Sequence, residues 1–301
     1  MRTNEEVGAR IEALRAEAGE ELVILGHHYQ RSAVLRHADA IGDSLGLARQ
    51  AAERRQARRI VFCGVKFMAE SADVLSGPNQ TVYMPEVLAG CPMANMADAA
   101  QAEAAMARLS AEVPDAWTPV VYVNSTAAVK AFCGRHGGSA CTSSNAARVF
   151  EWALSKSGRR ILFLPDEHLG VNTAHDLGIA EQAVAVYDPA LPDGGLDAQT
   201  VRAARVVVWK GFFIDYVAAA PAGARIVVGT ELNLVDRLAD QYRGEKTVQA
   251  LRPSVCANMA RTDERNLLAL LEDWPDENVV RVDRETAGDA CRALETMLAL
   301  R

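Results

Sequence analysis

The sequence lacks the features that mark several large classes of protein. No apolar run in its 301 residues approaches the roughly 20 residues that a membrane-spanning helix requires. The first ten residues, MRTNEEVGAR, contain no apolar signal core, so we expect no export and a cytoplasmic location. Six cysteines are too few for a disulfide scaffold in a chain of this size. We therefore expect reduced thiols, some of which have metal-binding or catalytic roles open to them.

The sequence also lacks a surplus of positive charge. Lys and Arg number 32 against 39 Asp and Glu, which gives a formal net charge of −7. This balance argues against a dedicated binder of nucleic acid or of anionic membranes. Charged residues make up 24% and hydrophobic residues 50%, which excludes wholesale disorder and fibrous repeats. The length suits two or three small domains, or one large domain.

What the sequence does contain is a repeated order of short apolar strand, polar cluster and helix. The predicted strands are short, β-branched and almost continuously apolar, as expected of parallel strands that are buried on both faces. Alanine-rich stretches with helical spacing separate them, which predicts an α/β fold in which ligands bind beyond the carboxyl ends of the strands. The predicted strands are Glu21–Leu25, Arg59–Phe62, Thr81–Met84, Pro119–Val123, Ile161–Leu164, Val206–Trp209 and Arg225–Val228, and helices are predicted at Ser44–Arg58, Ala97–Glu112, Ala146–Ser157, Asn266–Glu272 and Thr286–Leu300.

Acid/base side chains follow two of these strands. His27 and Tyr29 lie two positions apart, a spacing that directs both side chains to the same side of an extended segment. Histidine and tyrosine are natural partners in proton transfer, although a half-buried structural pair is the alternative. Tyr122 and Asn124 repeat the same spacing at another strand end.

Two predicted helices begin with hydroxyl-bearing residues. One start is Gly42-Asp43-Ser44, and the other is Thr142-Ser143-Ser144-Asn145. Free N–H groups at such a start bind anions, while simple helix capping is the alternative. Lys66, Glu70 and Glu231 add charge near strand ends, where a solvated role is the alternative.

Two of the six cysteines stand in distinctive surroundings, although neither forms a CxxC pair. Cys91 lies in the sequence Gly-Cys-Pro, and Cys256 lies in the sequence SVCANM. A small buried hydrophobic residue is the alternative role for any single cysteine.

These motifs, taken together, resemble those of the quinolinate synthase family. They occur in the family order and cover residues 24–170 as ILGHHYQ, ADAIGDSLGLAR, VFCGVKFMAESADVL, MPEVLAGCPMA, VYVNSTAAVKA, CTSSNA and FLPDEHLG. A weaker resemblance continues through WKGFF, GTE and SVCANM. It implies three similar three-layer α/β domains around a pseudo-threefold axis. It also implies a [4Fe-4S] cluster that three cysteines hold, with one open iron acting as a Lewis acid. The family reaction condenses iminoaspartate with dihydroxyacetone phosphate to form quinolinate, in NAD biosynthesis.

The resemblance also assigns roles to individual residues. It implies that Cys91 and Cys256 are the first and third cluster ligands, and that His27 and Tyr29 are the catalytic acid/base pair. The substrate contacts that we expect are Ser44, Phe67, Met68, Tyr122, Asn124, Thr142, Ser143 and Glu231. The predicted domains are residues 1–91, residues 92–213 and a truncated third domain of residues 214–256, with helices in residues 257–301 packing back on the first domain.

The sequence departs from the family pattern in the third domain. In the family motif WxGxCxxH, Phe213 stands at the cysteine position and Tyr216 at the histidine position. The family's His-Pro-Glu-Cys and Gly-Ser-Thr motifs are absent from the sequence. Since [4Fe-4S] clusters usually have at least three protein ligands, Asp215, Cys133 and Cys141 are considered as replacements.

Three hypotheses follow from this pattern. The first is a quinolinate-synthase-like enzyme with an altered substrate or mechanism, which acts on a small dicarboxylate or triose phosphate. It has two forms: retention of Cys91 and Cys256 favours an iron–sulfur cluster, whereas loss of the middle ligand favours cluster-free chemistry. The second is a true quinolinate synthase in which another protomer or a partner subunit supplies the missing part of the third domain. The third is a non-enzymatic paralogue that binds a small molecule. None of them involves nucleic acid or a membrane.

Overall fold

The computed structural model of the chain describes residues 2–155, 158–211, 221–228, 239, 242–250 and 256–300. Its α-helices in these residues are α1 Asn4–Ala18, α2 Ser32–Leu35, α3 Ser44–Glu53, α4 Lys66–Leu75, α5 Ala99–Glu112, α6 Ala127–Arg135, α7 Ala146–Leu154, α8 Glu167–Asp176, α9 Ala198–Ala203, α10 Glu264–Asp273 and α11 Arg284–Ala299. Its strands are β1 Leu22–His27, β2 Ala40–Gly42, β3 Arg59–Cys63, β4 Thr81–Tyr83, β5 Trp117–Tyr122, β6 Ser139–Cys141, β7 Arg160–Leu164, β8 Val184–Tyr187, β9 Val206–Trp209, β10 Arg225–Val228, β11 Thr247–Ala250 and β12 Val279–Val280.

The chain divides into two compact units, each assembled from separate stretches of sequence. The first unit comprises Met1–Ala69, Gly77–Gly90 and Phe212–Val280, and the second comprises Glu70–Ser76, Cys91–Gly211 and Arg281–Arg301. The C-terminal helix α11 belongs to the second unit, so the prediction that all of residues 257–301 pack on the first domain is wrong for this helix.

The first unit is built on a five-stranded sheet with the order β12-β4-β3-β1-β2. All pairs are parallel except β12 with β4. Every residue of β1 is buried, as its apolar sequence LVILGH predicts for a central strand that is covered on both faces. Helices α1 and α10 pack together on this sheet, with Val7 and Ile11 meeting the leucines of α10 in one core cluster. The described strands β10 and β11 form a separate parallel pair.

The second unit is built on an entirely parallel sheet with the order β6-β5-β7-β9-β8. Phe150 of α7 and Phe163 of β7 meet edge to face in its core, with ring centroids 5.3 Å apart. Helix α11 packs along α6, and Gly134 permits the contact. A Cβ atom placed on Gly134 would lie 1.9 Å from the backbone oxygen of Asp289, so only glycine fits at this crossing.

Parallel pairing brings the ends of neighbouring strands to one edge within each sheet. In the first unit His27 is in register with Gly42, and in the second Tyr122 is in register with Cys141. The prediction of an α/β fold with parallel sheets is confirmed. No helix in the described part of the chain is both long enough and apolar enough to cross a bilayer.

Candidate active site

His27 is the last residue of β1, and its side chain is only 4% exposed. The backbone N–H of Tyr29 donates a hydrogen bond of 3.2 Å to Nδ1 of His27, which places the ring proton on Nε2. Burial, followed by the charge of His28, lowers the pKa of His27 to about 4, against a smaller opposite effect of Asp43. His27 is therefore a neutral imidazole near pH 7, with an N–H to donate.

Tyr29 lies directly beyond His27, in a turn that the Gln30 N–H closes on the His27 carbonyl at 2.8 Å. The rings of His27 and Tyr29 meet edge to face with centroids 4.9 Å apart, and His28 packs against both rings. Tyr29 is 46% exposed, so the phenol is accessible while the imidazole lies buried beside it. The turn, rather than an extended segment, brings the two predicted proton-transfer groups together.

The start of α3 lies beside His27, because β2 pairs with β1 and ends at Gly42. Asp43 is the capping residue, and its Oδ1 accepts a hydrogen bond of 2.7 Å from the Gly46 N–H. Ser44, the first helical residue, is 8% exposed. The predicted helix start is therefore present, although Asp43 and not Ser44 supplies the side-chain cap.

Phe67 and Met68 lie in the first turn of α4, just after β3 ends at Cys63. Their side chains are 3% and 5% exposed. A Cβ atom on Gly64 would lie 2.7 Å from the Phe62 ring and 3.3 Å from Sδ of Met68, so the glycine leaves room mainly for this ring and less for the sulfur. The two side chains form part of the apolar packing at this end of the sheet in the first unit.

Tyr122 and Asn124 lie at the corresponding edge of the sheet in the second unit. Tyr122 ends β5, and the N–H of Val123 extends the ladder to the carbonyl of Cys141 at 2.7 Å. Asn124, two residues after Tyr122, directs its Nδ2 to Sδ of Met93 at 3.8 Å. Met93 follows Cys91 by two residues, so Asn124 lies close to the Gly-Cys-Pro turn.

The segment of residues 142–145 follows the neighbouring strand β6 and leads into α7. Asn145 occupies the N-cap position but turns its Oδ1 back to the N–H of Thr142 at 2.7 Å and to its hydroxyl at 3.1 Å. The Thr142 hydroxyl also bonds Ser144 Oγ at 2.8 Å, and Ser143 is exposed. Since no side-chain hydrogen bond caps α7, its first N–H groups are presented beside several hydroxyls, an arrangement suited to an anion.

The two cysteines singled out by sequence are partly exposed, whereas the suggested replacements are not. Cys91 and Cys256 are of intermediate burial, and Cys133 and Cys141 are completely buried. Burial raises the pKa of both buried thiols, and Cys133 Sγ donates to a backbone carbonyl, that of Pro119, at 3.2 Å. Protonated thiols in an apolar core are poor metal ligands, so neither replacement fits that role.

The described side chains do not complete the cluster site that the resemblance implies. No group of three or more His, Cys, Asp or Glu side chains in the described ranges could hold a metal ion. Cys91 and Cys256 supply two sulfur donors, and Phe213, whose side chain has no donor atom, stands at the family's second cysteine position. Phe213, Asp215 and Glu231 lie outside the described residues. Two thiols are fewer than the three protein ligands that a [4Fe-4S] cluster usually has, so the described donors do not hold one without a further ligand.

One buried charge at this site is not among the residues predicted from sequence. Lys130 of α6 is 0% exposed, and its Nζ donates to the carbonyl of Ser125. Burial lowers the pKa of Lys130 to about 7, while the charges of Glu70 and Cys91 oppose this effect. The detectable signal was a lone lysine inside the otherwise apolar helical run AAVKAFC.

Comparison with known proteins gives one consistent family. The family model described as quinolinate synthetase A protein matches residues 9–213 and 196–299. A quinolinate synthase of Rhodopirellula baltica is 41% identical over 99% of this chain and 92% of the relative. That of Streptomyces coelicolor is 41% identical over 97% and 88%, and that of Bacillus cereus is 38% identical over 98% and 94%.

The same comparisons indicate a deletion relative to these proteins. The alignment with the Rhodopirellula protein runs over 362 positions, whereas this chain has 301 residues, so at least 61 positions have no residue of this chain. The two stretches of the family match overlap at residues 196–213, which indicates that the match breaks near this segment. The break therefore lies next to Phe213 and to the part of the chain from which the two family motifs are absent. With near-complete coverage at about 40% identity, the chain belongs to the quinolinate synthase family.

Proposed function

We propose that this chain is a quinolinate synthase, which condenses iminoaspartate with dihydroxyacetone phosphate. The observation that carries the proposal is the 41% identity over 99% of the chain to a relative named quinolinate synthase. The catalytic side chains of the absent His-Pro-Glu-Cys and Gly-Ser-Thr motifs would come from a second copy of the chain or from a partner subunit.

The proposed roles follow from what each group can do chemically. Ser44 and the segment of residues 142–145 would bind the phosphate and carboxylate groups through hydroxyls and backbone N–H groups. Tyr29, which is accessible, would carry a proton to or from the reacting oxygen. His27 would donate its Nε2–H and remain neutral, because burial lowers its pKa to about 4. Asn124 and Tyr122 would orient the substrate.

We propose that Cys91 and Cys256 are iron ligands. A third ligand, from outside these two motifs, must complete the ligand set. The family typically uses a [4Fe-4S] cluster, which supplies a Lewis acid when bound. The proposed roles of the side chains above do not depend on it.

A second candidate function is an altered condensation or dehydration of another small anionic substrate. The observation that favours it is the pair Phe213 and Tyr216 in place of the family's cysteine and histidine, together with the 61 or more alignment positions that the chain lacks. An altered third domain would change which substrate fits, while Ser44 and residues 142–145 would still bind its anionic groups.

The deciding experiment is rescue of a bacterium that lacks quinolinate synthase, grown anaerobically without nicotinate. We expect the chain to restore growth and Tyr29→Phe to abolish the rescue. The matched control is Tyr83→Phe, since Tyr83 lies in β4 with its ring packed on Trp274 and makes that contact through the ring alone. Failure of the unaltered chain would reject quinolinate synthesis by copies of this chain alone, and full rescue by Tyr29→Phe would reject the role given to Tyr29.

A further inference from the structure

The most unusual charge in the described residues is the buried ammonium group of Lys130. Its neighbours along α6, Val129 and Phe132, are also fully buried, so the helix has no solvent-facing route for this side chain. Placing an ammonium group in an apolar core is costly unless an opposite charge or hydrogen bonds compensate it. The position therefore calls for a role that a neutral side chain would not fill.

Lys130 and Glu70 hold two consecutive parts of one loop. Lys130 Nζ donates to the carbonyl of Ser125, and Glu70 Oε2 accepts a hydrogen bond of 3.0 Å from the N–H of Ala127. Ala127 begins α6, and Lys130 lies three residues later on the same face of the helix. The two opposite charges also interact electrostatically. The backbone between them, at Thr126, is thus fixed on both sides.

This loop carries Asn124 into the candidate site. Asn124 immediately precedes Ser125, and its side chain reaches Met93 beside the Cys91 turn. We propose that Glu70 and Lys130 are positioning residues that hold residues 124–127 in the conformation that binds substrate. The part of this proposal that concerns substrate rests on the proposed function, whereas the part that concerns the loop does not.

Hydrogen exchange followed by mass spectrometry tests the loop directly. We expect Lys130→Met, which keeps the side-chain length and removes the charge, to speed exchange at least tenfold in a peptide covering residues 122–130. Peptides from β7 and α11 should keep their rates. Ser125→Ala is the matched control, because its hydroxyl has no hydrogen-bond partner among the described residues and Lys130 bonds the Ser125 carbonyl, which the substitution keeps. Equal acceleration throughout the second unit would overturn the proposal, since Lys130 would then be a purely structural residue.

A double-mutant cycle with Glu70→Gln tests whether the two charges act together. We expect the double variant to exchange no faster than the worse single variant, because removing both charges leaves no unpaired charge in the core. Additive effects would overturn the coupling. In the quinolinate assay we expect Lys130→Met to lower kcat at least tenfold, because a misplaced contact slows the chemical step. If Lys130→Met speeds exchange only in residues 122–130 but the unaltered chain forms no quinolinate, the proposed function is rejected. The role of Lys130 and Glu70 in holding the loop would still be supported.

Discussion

The contact between α6 and α11 gives the sharpest prediction about stability. Gly134→Ala places a Cβ atom 1.9 Å from the Asp289 carbonyl oxygen, whereas real contacts of this kind are not shorter than 3.0 Å. One helix must therefore retreat by about 1 Å or more. The obstructing atoms belong to the backbone of α11, so no side-chain rotation relieves the clash. Overpacking of this kind costs about 1–3 kcal/mol.

Alanine is also the better helix former, by roughly 1 kcal/mol, so the two effects oppose each other. We expect the clash, about 2 kcal/mol, to outweigh the gain in helix propensity, so Gly134→Ala should lower the free energy of unfolding by about 1 kcal/mol. Gly288→Ala is the matched control, because Gly288 lies in α11 with open space around its Cβ position. This control should raise the free energy of unfolding by about 0.5–1 kcal/mol.

Urea unfolding followed by circular dichroism measures both variants from their midpoints and slopes. A Gly134→Ala variant as stable as the unaltered chain would refute the reasoning, as would a gain equal to that of Gly288→Ala. Either result would mean that the two helices are not held at the distance described.

Two further predictions concern the candidate site. His27 has a pKa lowered from 6.5 to about 4, so its contribution to stability is complete above pH 6.5 and is lost as the pH falls through about 4. The loss amounts to about 3 kcal/mol, and we expect His27→Gln to flatten this part of the pH profile of unfolding, while the exposed His175→Gln leaves it unchanged. Phe213→Cys restores the thiol at the family's second cysteine position, so anaerobic reconstitution should raise bound iron and sulfide toward one four-iron cluster per chain. The neighbouring Phe212→Cys should not, and equal iron in both variants would contradict the assignment of position 213.

The parallel sheets were predictable because their signals are local. The runs around Ile24, Val61 and Val207 are apolar on both faces, and each is a central strand of its sheet. The short strands at Ala40–Gly42 and Ser139–Cys141 escape prediction, because three residues are too few to show a periodicity and each strand is defined by pairing with its neighbour.

The candidate site was predictable where strand ends carried reactive side chains and not where tertiary packing decided the outcome. His27 and Tyr29 are recognised from sequence because they follow an apolar strand. The burial of Lys130 depends on the elements around α6, and the location of α11 depends on the opening at Gly134. Helical periodicity in α11 indicates an apolar face but does not indicate which helix that face contacts.

The central claim is that this chain makes quinolinate despite the substituted cysteine and the absent motifs. The most direct measurement is quinolinate formation by the anaerobically purified chain, supplied with iminoaspartate and dihydroxyacetone phosphate and followed by chromatography with mass detection. We expect quinolinate to appear with time, to require both substrates and to be lost in Tyr29→Phe. A chain that binds both substrates yet forms no quinolinate would contradict it.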